Sequence, residues 1–241
     1  MDLVMERDYR LRWMDFDKYG RMQPSAILDL CQDMATLHAI ELGIGGEEMA
    51  KRGVFWAVIH TKYETVKEPQ HHQVITVRTW PHSLSRFSFI RDFSLLDESG
   101  ELLVKATTEW VVMDIESRKF ASVKDFYDGP TDFCEDRLFE KKPRKIRGFD
   151  EGNRPVCTIV PRFSDIDVNG HVNNARYANY VVDALDPDPG HSIKALQIDY
   201  RQEVLVGSPL EMHTLVEDGR VLSKGVNGQG DVAFACAIEL A

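Results

Sequence analysis

The hydrophobic pattern of the chain switches between two periods, and it does so twice in the same order. Residues 24–43, "PSAILDLCQDMATLHAIELG", open on Pro24-Ser25 and close at Gly43, with Ile27, Leu30, Met34 and Leu37 at helical spacing. Strand-like segments follow: "GVFWAVIHTKYETV", "QVITVRTW", "RFSFIRDFSLL", a turn at "DESG", and "ELLVKATTEWVVMD". A second, shorter helix is predicted over residues 173–185, "NNARYANYVVDAL". Behind it come "IKALQIDYRQEV", "SPLEMHTLVEDG", "RVLSKGV", a turn at "NGQG", and "DVAFACAIEL". Each half thus reads as one helix followed by mainly antiparallel strands, an α+β layer in which a curled sheet buries the helix. Two such halves are expected to pair sheet to sheet.

The two halves also share a local motif. Residues 12–33 can be laid on residues 162–183 without a gap, and Arg12/Arg162, Asp15/Asp165, Asp17/Asp167, Gly20/Gly170 and Asp33/Asp183 are identical. Five identities exceed the one or two, roughly, that ordinary residue usage gives by chance. The expected division is a first domain at 1–125, a charged linker at 126–155 and a second domain at 156–241. The linker holds "KKPRKIRG", with Lys141, Lys142, Arg144, Lys145 and Arg147 in one short run. Its plain reading is a solvated connection; the functional reading is a docking site for an acidic carrier or for phosphates.

Composition narrows the function. A chain of 241 residues with 43% hydrophobic and 28% charged residues is an ordinary globular protein, and no apolar run nears the roughly 18 residues that cross a bilayer. A net charge of −10 argues against general nucleic-acid binding. The N-terminus lacks the basic-then-apolar order of a signal peptide, so a cytoplasmic protein is expected. Cys31, Cys134, Cys157 and Cys236 are far apart with no CxxC pair, which suggests buried thiols and no zinc knuckle.

The stretch "DIDVNGHVNN", residues 165–174, concentrates polar groups just ahead of the second helix. Asp165, Asp167, Asn169 and Gly170 match the first positions of an EF-hand loop, but Arg176 stands where calcium needs a bidentate Glu. His171 has no local partner for zinc, and no G-x-S-x-G elbow marks a serine hydrolase. Turn building and helix capping explain much of such a segment. The first copy separates the two jobs. There Asn169 is matched by Tyr19, His171 by Arg21, and Asn173-Asn174 by Gln23-Pro24, so the corner does not require Asn or His. With Tyr63 laid over Tyr200, Glu203 likewise faces Val66 in the first copy. Alternation of Leu196, Ile198 and Tyr200 with Gln197, Asp199 and Arg201 puts Glu203 on the polar face of a strand.

These residues, in this order, resemble the plant and bacterial acyl-acyl-carrier-protein thioesterases of the hotdog superfamily. "DIDVNGHVNNARYANYVVDAL" is similar to the family's D-x-D-x-N-x-H-V-N-N-x-x-Y segment and "LQIDYRQEV" to its Y-R-x-E strand. "GVFWAVIHTKYE", "VRTWPHSLSRFSFIRDF" and "GELLVKATTEWVVMDIESRKF" extend the resemblance over nearly the whole chain. It implies a double hotdog, two tandem domains each with a helix wrapped by sheet, and catalysis in the C-terminal copy by Asp167, Asn169, His171 and Glu203. Plant members often carry Cys after the Glu; this chain has Val204, so no thiol mechanism carries over.

The implied reaction is hydrolysis of fatty acyl-acyl carrier protein, without metal or cofactor. An acyl-CoA thioesterase and a non-catalytic acyl-binding module are the alternatives, and a homodimer is left open. Glu203, its pKa raised by partial burial, would be the base for water. Asn169 would align water or thioester, held by Asp167 and His171. Backbone amides of Val172, Asn173 and Asn174, at a helix N-terminus, would receive the oxyanion. Ile27, Leu28, Met34, Leu37, Phe55 and Trp56 would line the acyl tunnel.

Overall fold

The computed structural model describes residues 3–129, 131–134, 136–149 and 154–241. In the N-terminal half, α1 (Pro24–Glu41) and a short α2 (Gly46–Lys51) accompany β1 (Met5–Arg10), β2 (Val54–Thr65), β3 (Val74–Pro81), β4 (Ser88–Leu96) and β5 (Leu102–Asp114). The two-residue β6 (Phe120–Ala121) returns on β5 and leads into α3 (Val123–Phe126). The C-terminal half contains β7 (Cys157–Ile159), α4 (Arg176–Leu185), β8 (Ile193–Tyr200), β9 (Leu210–Glu217), β10 (Arg220–Val226) and β11 (Val232–Leu240).

The halves do not pair sheet to sheet. They join edge to edge, in the order β1-β3-β4-β5-β2-β8-β11-β10-β9-β7, with every neighbouring pair antiparallel. The seam is β2 against β8, with His60 opposite Asp199, Thr61 opposite Ile198 and Tyr63 opposite Leu196. An edge strand left open is a site for unwanted pairing. Here each half covers the other's.

Both helices bury their apolar faces in one core. In α1, Pro24 occupies the first turn, where its missing N–H costs nothing, and Gly43 ends the run in a left-handed conformation (φ 74°). Ile27, Cys31, Met34 and His38 recur on its buried side. From α4, Tyr177, Ala178 and Val181 enter the same cluster as Ile27 and Met34, together with Tyr63, Leu196 and Phe234 from the strands. The predicted strands lie where the pattern puts them, except that β8 stops short of Val204; β6 and β7 are short additions, and so is β1. Its charged positions face solvent at the end of the sheet, so no apolar alternation marks it.

The linker is not a solvated connection. Among its described residues it runs as a strap over the polar face of the sheet and is bonded to it repeatedly. Trp80 Nε1 donates to the Asp136 carbonyl (2.9 Å), Leu138 N–H to Asp92 (2.9 Å) and Ile146 N–H to Asp199 (2.5 Å). Gln197 donates to the Arg144 carbonyl (2.8 Å) and Arg201 to that of Ile146 (2.9 Å). Lys142 pairs with Glu109 at 3.0 Å, and His60 Nδ1 lies 3.0 Å from the same carboxylate. Burial pushes Glu109 up, but the bonds from His60, Lys142 and Ser88 and the Lys142 charge outweigh it and hold the carboxyl at about 2.

This anchor has a pH signature. A carboxyl held at about 2 against an ordinary value of 4.5 contributes its full stability above the higher value and loses it as pH falls through the lower one. Glu109→Gln is therefore expected to cost about 1–3 kcal/mol at pH 7, with the gap to wild type closing as pH falls below 4.5. Urea unfolding of both proteins across pH measures it; equal midpoints at pH 7 would count against anchorage through Glu109.

Candidate active site

The corner ahead of each helix is the same object twice. In the first copy Arg12 N–H donates to Asp15 (2.6 Å), Tyr19 N–H to Asp17 Oδ1 (2.8 Å) and Gln23 N–H to the Asp15 carbonyl (2.8 Å). In the second, Arg162 N–H donates to Asp165 (2.7 Å), Asn169 N–H to Asp167 Oδ1 (2.8 Å) and Asn173 N–H to the Asp165 carbonyl (2.8 Å). Gly20 (φ 78°) and Gly170 (φ 84°) both turn the chain through the left-handed region. Asp167 therefore builds the turn, as Asp17 does. It holds Asn169 by its backbone N–H, and the Asn169 amide itself makes no hydrogen bond among the described residues.

What differs between the copies is the side chain that leaves each corner. Arg21 donates to the carbonyls of Pro189 and His191, a purely structural tie to the other half. His171, at the matching position, places Nε2 3.2 Å from Glu203 Oε2. Glu203 does not lie on β8, which ends at Tyr200; it stands in the loop beyond, with 46% of its side chain exposed. The expectation of a sheltered base on a strand is thus corrected: β8 stops because Arg201 and Gln202 both turn their N–H groups to the Ala233 carbonyl. The loop is fixed instead by Val172 N–H donating to the Val204 carbonyl (2.8 Å) and by a bond between the Tyr177 hydroxyl and the Val204 backbone. Burial pushes the Tyr177 hydroxyl pKa up, and Glu203 and Asp167 nearby add to this, so it stays protonated. Arg118, which sequence reasoning missed, reaches Glu203 from the turn between β5 and β6. No periodicity or motif singles it out.

The amides of Val172 and Asn173 are not available to an oxyanion, because each already donates to a carbonyl, of Val204 and of Asp165. Among the described residues the Asn174 N–H is not so engaged. Asn174 and Ala175 border a small cavity of about 20 Å³, partly open to solvent, at the junction of the halves. Leu28, Cys31, Val58, Thr108 and Trp110 are among its other walls, and the Tyr200 hydroxyl donates to the Asn174 carbonyl (3.0 Å) at its edge. Of the six residues expected to line an acyl tunnel, Leu28 borders this cavity. Ile27 and Met34 are buried in the core and Leu37 packs against it. Trp56 stacks near Phe89 and donates from Nε1 to the Ile44 carbonyl (2.9 Å), while Phe55 lies under Arg118. Helical spacing identifies a buried face but not which part of it borders empty space. Burial also pushes the Cys31 thiol pKa up, so the cavity's sulfur is a neutral thiol and no nucleophile.

The comparisons with known proteins agree on one family. The model of the acyl-ACP thioesterase N-terminal domain matches residues 2–129, and that of the C-terminal domain matches residues 151–235. The chain belongs to the acyl-ACP thioesterase family. It is 27% identical over 231 residues to a chloroplastic palmitoyl-acyl carrier protein thioesterase of Gossypium hirsutum, covering 90% of this chain and 56% of that protein. Oleoyl-acyl carrier protein thioesterase 2 of Arabidopsis thaliana is 28% identical over 225 residues, covering 84% and 61%. The chain thus spans little more than half the length of these curated relatives. Among solved structures, an acyl-ACP thioesterase from Bacteroides thetaiotaomicron superposes with a TM-score of 0.90 at 22% identity, covering 99% and 98% of the two chains. The 12:0-ACP thioesterase of Umbellularia californica gives 0.89 at 23%, covering 100% and 98%. At that identity these two establish the shared double-hotdog fold. The acyl-ACP thioesterase family membership rests on the domain matches.

The duplicated corner makes its own prediction. A Cβ at residue 170 meets nothing within 4 Å and one at residue 20 only His71 Nε2 at 3.4 Å, so backbone strain alone sets the cost at both sites. Gly20→Ala and Gly170→Ala should each destabilise by about 1–2 kcal/mol in urea unfolding. Markedly unequal losses would refute the shared geometry.

Proposed function

We propose that this chain hydrolyses fatty acyl thioesters carried on acyl carrier protein, releasing fatty acid and the free carrier thiol. One observation carries the reading: the His171–Glu203 pair exists only in the copy whose helix N-terminus borders the apolar cavity at the domain junction. In the proposed reaction the acyl chain enters at the cavity, which widens as Leu28 and Trp110 part to admit it, and the thioester carbonyl comes to rest near Asn174. Glu203 takes a proton from water as the water oxygen bonds to the carbonyl carbon. The oxyanion is received at the Asn174 N–H, where the positive end of the α4 dipole favours it. Collapse breaks the carbon–sulfur bond, and the proton passes to the departing thiolate. His171 holds Glu203 in place, and the exposed Asn169 amide, unengaged among the described residues, orients the water or the thioester.

Carrier recognition belongs to the strap. Pro143 and Ile146 are buried while Lys141, Arg144, Lys145 and Arg147 are exposed, so the anchored backbone presents these cations outward. Lys142 is spent on Glu109 and is dropped from the docking set. A cytoplasmic setting remains part of the proposal; the curated relatives are chloroplastic.

Purified protein assayed with acyl-carrier and acyl-CoA esters of varied length tests the whole reading. His171→Ala and Glu203→Ala should each lower kcat by about 10²–10⁴-fold on carrier substrates. Fatty acid release that is equally slow in wild type and variants would sink it, and turnover of CoA esters alone would replace the carrier with CoA. Arg144→Glu with Lys145→Glu should raise KM for the carrier substrate and leave KM for a CoA ester near wild type; equal effects would return the strap to a structural role. Leu28→Phe, which fills one wall, should shift preference toward shorter chains by about fourfold per methylene excluded, from roughly 0.8 kcal/mol each. An unchanged length profile would place the acyl chain elsewhere.

A further inference from the structure

Glu203 raises a physical difficulty for the proposed reaction. A base must be held within a fraction of an ångström, yet this one sits on a loop with its side chain nearly half exposed. His171 fixes it from one side. The other fixed contact comes from the N-terminal half, whose own corner has neither His nor Glu at the matching positions.

That contact is Arg118. Its backbone is left-handed (φ 55°), a conformation that costs a non-glycine residue energy and persists only when its surroundings impose it. The surroundings do impose it. Asp114 Oδ1 accepts from both the N–H and the hydroxyl of Ser117 (2.7 Å each), Arg118 N–H donates to the Asp114 carbonyl (3.0 Å), and Asp114 N–H to that of Lys119 (3.0 Å). Ile115 N–H ties the turn to the Gly53 carbonyl at the start of β2 (3.0 Å). The guanidinium then lies over the Phe55 ring, 4.8 Å from its centroid, before it reaches Glu203. A solvent-exposed ion pair between two free side chains contributes little, because both must be ordered to form it. This arginine is ordered at its backbone by the turn and along its length by the ring.

We infer that Arg118 is a positioning residue of the active site, through which the N-terminal half holds the Glu203 carboxylate against His171. The inference rests on the thioesterase reading above. Both partners take the same oxygen, Oε2. Among the described residues Oε1 has no partner, and it is the oxygen left to accept the proton of water. Arg118 touches no reacting atom; it selects which carboxylate oxygen faces the substrate and stops the side chain from swinging into solvent. The assignment also gives the joined halves a catalytic reason to stay joined, since the C-terminal copy alone lacks this arm.

Steady-state kinetics of Arg118→Ala, Glu203→Gln and the double variant test it, beside unfolding midpoints and the ring-nitrogen NMR signals of His171. Arg118→Ala should lower kcat by about 10–100-fold with KM within about twofold. Millimolar guanidinium ion should restore part of the loss. In the Glu203→Gln background the same change should cost nothing further. Wild-type turnover with unchanged kcat in Arg118→Ala, or an undiminished loss in the Glu203→Gln background, overturns the inference and leaves the thioesterase reading standing. If wild type releases no fatty acid, that reading fails by itself. The His171 ring signals then decide the positioning separately: they should move in Arg118→Ala, as Glu203 leaves, and signals identical to wild type overturn it.

Discussion

Everything distinctive about this molecule depends on the antiparallel pairing of β2 with β8. Two curled sheets, each with a helix to bury, could have stayed separate, every one with an open edge. Pairing His60 through Glu64 with Asp199 through Ala195 turns them into a single surface on which α1 and α4 lie side by side. Arg176 of α4 then meets Asp29 of α1 at 3.4 Å. The cavity exists only because of this seam: its walls come from α1, β2 and β5 on one side and from Tyr200 and the start of α4 on the other. The reach of Arg118 to Glu203 has the same origin, as it starts at the end of β5 and finishes just past the end of β8.

Repetition gives the fold two equivalent corners, and the side chains that leave them differ. The corner is a backbone device. It needs an acceptor at residues 15 and 165, another at 17 and 167, and a glycine at 20 and 170, and at each of these positions the copies are identical. The residue after the glycine is free of that constraint. In one copy it is Arg21, which clamps the loop around His191; in the other it is His171, which meets Glu203. A duplicated scaffold can therefore carry different side chains at its two exits without altering the turn that both share.

How much of this was legible in the sequence follows from the range of each interaction. Both helices, most of the strands behind them and the repeat are written in local periodicity and in residue identity, and the structure agrees with them. The relation of the two sheets was misread because edge pairing and face packing leave the same alternation on a strand. Glu203 was extrapolated along an alternation that the Ala233 carbonyl ends two residues earlier. Val172 and Asn173 looked available by position in the helix, but their amides are consumed by Val204 and Asp165, partners no local rule supplies. Arg118 lies 85 residues from Glu203, and a single sequence carries no sign of that contact.

The strap shows why the outer face of the sheet is built as it is. An antiparallel sheet with one packed face normally turns charged residues to water on the other. Here Asp92, Glu109 and Asp199 lie on that face and are almost fully buried, which would be costly for bare carboxylates. They are not bare. A chain crossing a sheet at an angle cannot join its ladder, so its backbone amides need acceptors from below. Asp92 serves Leu138 and Asp199 serves Ile146, while Glu109 receives Lys142 and His60. Each carboxylate is satisfied by the segment that buries it, and each amide by the carboxylate it covers. The segment that appears in the sequence as a loose basic linker is thereby fixed at short intervals, and a strap fixed in this way holds its outward cations in a constant array. Such constancy is what the recognition role proposed for these lysines and arginines requires, since charges on a mobile linker would average away the geometry on which complementarity depends.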